Sequence, residues 1–213
     1  FCLDRAGLVG QDGATHHGAF DMAYLRCIPN LIIFAPRNEI ELRNMMYTAQ
    51  LGLPHPIAIR YPRGRGDVLD WKQPFEVIDI GKGIKLKSGK SLAILSIGFM
   101  AHNTTEAIKL LADKDAIAHY DMRFVKPLDE ALLHEIFRTH ALILTIEDGS
   151  IIGGFGSAVL EFASEFGYKN PIKLLGIPDH FIEHASVKEL QHQIGLDPES
   201  IAKAIEEFTL DHH

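Results

Sequence analysis

Arg5, Asp12, His16 and His17 fall in one short stretch, spaced by glycines at positions 7, 10, 13 and 18. A planar guanidinium at position 5 can hold a phosphate or carboxylate through paired hydrogen bonds. Asp12 can accept hydrogen bonds from substrate hydroxyls or orient a neighbouring imidazole, and His16 can take or give a proton near neutrality. Glycines let the backbone approach a ligand closely and adopt positive φ. The same composition also describes a polar loop whose histidines do nothing, so residue types alone do not name a reaction. Further along, Arg60, Arg63 and Arg65 lie within six residues. They read as an anion site in an acidic protein, or as a solvated basic loop.

Other candidates are weaker. Gly153-Gly154-Phe155-Gly156-Ser157 leads into a helical pattern, and a helix N-terminus can bind anions through its free N–H groups. It completes neither the dinucleotide nor the Walker pattern, so a structural turn is expected there. Glu147 and Asp148, just before it, are expected to close a strand and face solvent. His55, His102, His119, His134, His140, His180, His184 and His192 show no metal-ligand spacing and read as surface or capping residues, with His180 and His184 in a loop. Cys2 and Cys27 make no disulfide framework, which favours a reducing compartment.

These residues need a scaffold, and the pattern around them is that of an α/β protein. Short apolar runs alternate with helical spacing, as in βαβ units around a parallel sheet. Strands are expected near residues 1–3, 31–35 and 57–61, with helices over 20–26 and 39–50. Residues 64–74 are polar and aperiodic and read as a linker. Beyond them, 76–86 and 91–97 flank a hairpin-like Ser88-Gly89-Lys90 turn. A regular series follows: helix 104–112, strand 116–120, helix 129–138, strand 141–146, helix 157–166, strand 172–175, and helices over 187–194 and 198–208. Asp129 and Asp197 are placed as N-caps. The division expected is a C-terminal part of one domain over 1–70 and a complete α/β domain over 71–213. The 4–18 loop then lies beyond a strand's carboxyl end, where open α/β sheets bind ligands.

The chain has 213 residues, of which 46% are hydrophobic and 23% charged, within the range of globular proteins. No apolar run approaches the roughly 18–20 residues of a membrane-spanning helix. The net charge of -7 argues against nucleic acid as the main partner. The first residue is Phe1 rather than Met, so a preceding segment is expected, along with any transit peptide it carried. The terminal His212-His213 reads equally as native or as a tag remnant.

Several ordered motifs carry a family resemblance. Asp12-Gly13-x-Thr15-His16 resembles the loop shared by transketolases and 1-deoxy-D-xylulose-5-phosphate synthases. Asp4-Arg5-Ala6-Gly7-x-Val9-Gly10, Tyr24-Leu25-Arg26-Cys27-Ile28-Pro29, Arg60-Tyr61-Pro62-Arg63-Gly64 and Met122-Arg123-Phe124-Val125-Lys126-Pro127-Leu128-Asp129 are similar to the synthases, as are Gly176-Ile177-Pro178-Asp179 and the nearby Phe181-Ile182. The resemblance implies the end of a pyrimidine-binding domain followed by a transketolase-type C-terminal domain. It also implies an enzyme that uses thiamine diphosphate and Mg²⁺ to decarboxylate pyruvate and join the two-carbon remnant to D-glyceraldehyde 3-phosphate, feeding isoprenoid, thiamine and pyridoxal synthesis. By the same correspondence Arg5 and Arg63 lie at the acceptor's phosphate, with Asp12 and His16 catalytic; His17 falls where relatives often carry Gln.

The family's Gly-Asp-Gly…Asn metal–diphosphate motif and its cofactor-activating glutamate do not occur in this sequence. No cofactor or metal ligand is therefore assigned within it, and the isolated chain is expected to be inactive, needing the rest of the enzyme. A homodimer is expected, in the bacterial cytoplasm or, after loss of a transit peptide, in a plastid. The competing readings are a transketolase and a non-catalytic C-terminal module that dimerises or regulates.

Overall fold

The computed structural model describes residues 1–66, 68 and 70–212. In the first part, β1 (Cys2–Leu3), β2 (Ile32–Phe34) and β3 (Ile57–Arg60) pair in parallel, with β3 between the other two. Helix α1 (Asp21–Leu25) follows the 4–18 loop, and α2 (Glu39–Gln50) connects β2 to β3. Helix α2 begins where sequence spacing puts it, because the Asn38 side chain accepts the Glu41 N–H at 3.0 Å and Glu39 and Glu41 favour the positive helix end.

The second part builds a larger sheet from β4 (Ile84–Lys87), β5 (Leu92–Ser96), β6 (Ile117–Asp121), β8 (Leu142–Ser150) and β9 (Ile172–Ile177), in the order β4-β6-β5-β8-β9. All neighbours are parallel except β4, which runs antiparallel to β6 at the edge. Strands β5, β6 and β8 are buried along their whole length, as parallel strands covered on both faces must be. Helices α3 (Met100–Leu110), α4 (Glu130–Thr139), α5 (Phe155–Glu165), α6 (Val187–Gln193) and α7 (Pro198–Leu210) cover those faces. Asp129 and Asp197 cap α4 and α7, each accepting an N–H of the first turn. The path from β5 to β6 on one side and then to β8 on the other puts a topological switch point at the carboxyl ends of β5 and β8.

Two expectations are corrected here. Ser88-Gly89-Lys90 does not turn a hairpin, because β6 inserts between β4 and β5. Instead the Lys90 and Ser91 N–H groups donate to the Ala116 carbonyl, and a Cβ on Gly89 would stand 2.1 Å from the Ile117 backbone. The second correction is β7 (Phe124–Lys126), a short strand with no sequence periodicity, which pairs antiparallel with β2 and completes the first sheet. The 64–74 segment carries no helix or strand in its described part; Asp67 and Leu69 lie outside the described residues, as does His213.

The two parts share a core. Leu31, Ile33, Ala35 and Ala58 from the first sheet pack in one buried cluster with Ala93, Leu95, Tyr120, Leu133, Ile136 and Phe155. A second cluster, around Phe34, Met45, Ile59 and Ile78, fills the α2 side of the first sheet. Asn44 and Thr48 of α2 accept the Glu76 and Ile78 N–H groups, so the segment after the linker runs along that helix.

Candidate active site

Strand β1 ends at Leu3, and the chain reverses with positive φ at Arg5 (63°) and Gly7 (70°). The Gly7 and Gly18 backbones bond reciprocally at 3.0 and 2.9 Å and close the loop at its base. The closure requires a bare α-carbon at Gly18, where a Cβ would stand 2.2 Å from the Arg5 carbonyl oxygen. Between these ends a 3-10 turn over Gly10–Asp12 lifts Asp12 outward.

At that turn the predicted residues meet. The Asp12 carboxylate pairs with the Arg63 guanidinium and lies 3.8 Å from Arg5 Nε, so it sits between two arginines. Arg63 is half-exposed, and Arg5 Nε is a buried donor without a hydrogen-bond partner. His16 is exposed, and its Nδ1 lies 3.0 Å from the Thr15 hydroxyl. Among the described residues no hydrogen bond joins the His16 ring to Asp12, Arg5 or Arg63. The structure therefore assembles Arg5, Asp12 and Arg63 and leaves His16 beside them on the same loop.

The Arg60–Arg65 group does not act as one cluster. Arg60, at the end of β3, is 1% exposed and points inward. Its Nε donates to Asp21 at 2.8 Å, Nη1 to Asp148 at 2.6 Å and Nη2 to the Gly18 carbonyl at 3.1 Å. Burial opposes its charge, yet Asp148 and Asp21 together hold its pKa above the ordinary arginine value. Arg60 thus ties the base of the 4–18 loop to β8. Arg63 and Arg65 are the members that face outward.

Glu147 and Asp148 do not face solvent: both are buried. The Glu147 carboxylate accepts the N–H groups of Phe155 and Gly156, each at 2.8 Å, and so occupies the N-terminus of α5. Burial pushes its pKa up to about 7, against the pull of those N–H groups and of Arg60. The glycine-rich turn is therefore structural, as expected, and its anion comes from the chain itself. Strand β8 runs on through these acids to Ser150 because each has a buried partner.

Two histidines taken as surface residues, His119 and His140, are also buried. His119 Nε2 lies 2.8 Å from the Ser96 hydroxyl, and burial, reinforced by the Arg37 charge, depresses its pKa to about 3, so it is neutral. Beside it the seam between the two sheets carries Arg37, Glu41, Asp121 and Arg123, with Arg123 donating to Glu41 at 2.7 Å. Burial and the neighbouring Glu41 push Asp121 up to about 7, offset by Arg37 and by the N–H and guanidinium of Arg123. Arg123 lies in one of the family motifs, and no local signal in the sequence shows that it spans the seam.

A cleft of about 830 Å³ opens at the carboxyl ends of both sheets, lined by Arg37, Tyr61, Arg63, Arg65, His102 and Asp148 among others. Arg63 is the member of the loop triad that reaches it. Among the described residues no group of three or more His, Cys, Asp or Glu side chains is arranged to hold a metal ion. Asp12, Asp21, Glu147 and Asp148 do not fit a magnesium-bound diphosphate, since each already pairs with an arginine or with a helix end. No described helix is long and apolar enough to cross a membrane.

The transketolase pyrimidine-binding domain matches residues 1–67, and the transketolase C-terminal domain matches residues 81–201. The chain is 57% identical over 206 residues to 1-deoxy-D-xylulose-5-phosphate synthase of Bacteroides thetaiotaomicron, covering 96% of this chain and 32% of that protein. It is 55% identical over 205 residues to the synthase of Parabacteroides distasonis, with the same coverage. It thus spans about a third of the length of the curated relatives it matches. Among solved structures, a split-gene transketolase described as an inactive β4 tetramer is 31% identical with a TM-score of 0.81, covering 97% of this chain and 64% of that one. Transketolase from Campylobacter jejuni, 19% identical with a TM-score of 0.72, covers 97% of this chain and 31% of that one and shares the fold. The chain belongs to the transketolase family, with a match to its pyrimidine-binding domain followed by one to its C-terminal domain.

Proposed function

We propose that this chain is the acceptor-holding part of a 1-deoxy-D-xylulose-5-phosphate synthase, which joins a two-carbon unit from pyruvate to D-glyceraldehyde 3-phosphate. One observation carries the reading: a carboxylate, Asp12, held between two guanidiniums, Arg5 and Arg63, on a glycine-shaped loop. Two arginines around one anion make a phosphate socket, and an incoming dianion outcompetes a half-exposed carboxylate for both. Released from Arg63, Asp12 is free to accept a hydrogen bond from the substrate's hydroxyls. His16, exposed on the same loop, exchanges protons with the reacting oxygen atoms. The names of relatives 54–57% identical over nearly the whole chain support the same reaction.

Thiamine diphosphate, with Mg²⁺, supplies the decarboxylation chemistry in the full enzyme, and the remainder of the enzyme holds both. This chain by itself is inactive. The split-gene transketolase that resembles it is itself described as inactive, which supports that reading. That protein's β4 assembly supports self-association, and we assign the full enzyme a homodimer. The division between its domains falls near residue 70, and its relatives' bacterial sources support a cytoplasmic enzyme.

The test is CO2 release from pyruvate with D-glyceraldehyde 3-phosphate, thiamine diphosphate and Mg²⁺. The full-length protein releases CO2 and this chain alone does not. Turnover of ketose phosphates by the full-length protein without CO2 release would instead make it a transketolase. Pyruvate decarboxylation by the purified 213-residue chain would overturn the assignment of the cofactor to the rest of the enzyme.

A further inference from the structure

The base of the 4–18 loop is fixed by Gly7, Gly18 and Arg60, but those contacts do not hold its outer part, where Asp12 sits. His17 does. The Val9 backbone N–H donates to His17 Nδ1 at 3.0 Å. An accepting Nδ1 puts the neutral ring's proton on Nε2, and that atom lies 3.4 Å from the carbonyl of Glu183, 166 residues further along the chain. The imidazole is therefore a strut that accepts from the loop and donates to the C-terminal domain.

The backbone packs in the same sense. A Cβ on Gly10 would stand 3.1 Å from the Ala185 carbonyl, and one on Gly13 would stand 3.5 Å from His184 Cβ. The turn carrying Asp12 thus rests on residues 183–187. That shelf is itself anchored: Ile182 is buried, and Ser186 and Glu189 form a capping box at the start of α6.

We infer that His17 is a positioning residue, locking the Asp12 turn onto the C-terminal domain and making that domain part of the acceptor site. The structural half of the inference stands on the contacts alone. Its catalytic consequence rests on the proposed function. Glutamine offers the same pair of groups, an amide oxygen to accept and an NH2 to donate, so it can replace the ring where alanine cannot.

Hydrogen exchange and kinetics on the full-length enzyme test this. His17→Ala should raise amide exchange in residues 9–13 by about tenfold, the effect of losing roughly 1.4 kcal/mol of local protection, with strand Leu92–Ser96 unchanged. It should raise KM for D-glyceraldehyde 3-phosphate by a similar factor and leave KM for pyruvate unchanged, and His17→Gln should restore both readouts. If His17→Ala unfolds, His17→Met, which fills the space without either hydrogen bond, carries the same test. Unchanged exchange in residues 9–13, equal effects on both KM values, or His17→Gln as impaired as His17→Ala would overturn the inference. An Arg63→Ala enzyme with an unaltered aldehyde KM would strike the proposed function instead and leave the exchange result standing.

Discussion

Two glycine-rich turns in this molecule have the same local description and opposite fates. The 4–18 loop and the 151–154 turn, with Glu147 and Asp148 of β8 beside it, each follow a parallel strand, and each leads into a helix. In the second, Glu147 supplies the anion: its carboxylate takes the first free N–H groups of α5, and a Cβ on Gly154 would fall 2.0 Å from Glu147 Oε2. In the first, Gly7, Gly10 and Gly13 hold φ between 70° and 78°, and Arg5, Asp12 and Arg63 remain in reach of solvent. One turn is filled by a buried carboxylate of the chain itself; the other keeps its charged groups open to solvent.

Arg60 joins the two turns, and removing it should have the largest effect. Arg60→Ala leaves Asp21 and Asp148 buried without their partner and frees the Gly18 carbonyl. Breaking a buried ion pair from one side costs about 3–5 kcal/mol, so urea unfolding should show a loss of that order. A loss below about 1 kcal/mol would mean that the turns are held independently.

Glu147→Ala should come next, at about 2–3 kcal/mol, because two helix N–H groups lose their acceptor in a buried site. Asp12→Ala, on the open loop, removes only surface pairs and should change stability by less than about 1 kcal/mol. Equal costs at the two positions would erase the distinction between filled and open.

A different effect lies in the pH dependence. Glu147 is raised from 4.5, and Asp121 from 3.8, to about 7 in the folded chain. Between those limits the native state holds protons that the unfolded chain has released. Stability therefore falls as pH rises from about 4 to 7 and levels off above, by up to about 1.4 kcal/mol per pH unit for each group. Glu147→Gln and Asp121→Asn should each flatten the decline of the urea midpoint between pH 5 and 7. An unchanged slope in both variants would show that neither carboxylate carries the effect.

The local features of this fold were readable in the residues. Helix α2 matches its periodicity residue for residue, and the capping aspartates at 129 and 197 sit where their spacing puts them. What sequence did not reveal is set by distant partners. Strand β7 exists because β2, some ninety residues earlier, offers an edge; Phe124–Lys126 is too short to carry a pattern of its own. The 88–90 turn fails as a hairpin because β6, later in the chain, takes the place beside β4.

The site divides in the same way. Arg5, Asp12 and Arg63 stood out by type and spacing, and the fold brings them together. Arg60 shares a motif with Arg63 but faces the other way, since it ends a buried strand while Arg63 lies beyond Pro62 in an exposed turn. His17, adjacent to His16, gains its role from a carbonyl in the other domain, which no local pattern encodes.

The account rests on the open loop being a phosphate socket, and steady-state kinetics of Arg63→Ala in the full-length enzyme tests that most directly. Loss of one charge-assisted contact to a dianion, worth about 1.5–3 kcal/mol, should raise KM for D-glyceraldehyde 3-phosphate by roughly 10–100-fold. KM for pyruvate, which carries no phosphate, should stay within about twofold, a shift of roughly 0.4 kcal/mol. Equal increases for both substrates, or none for the aldehyde, would contradict the account.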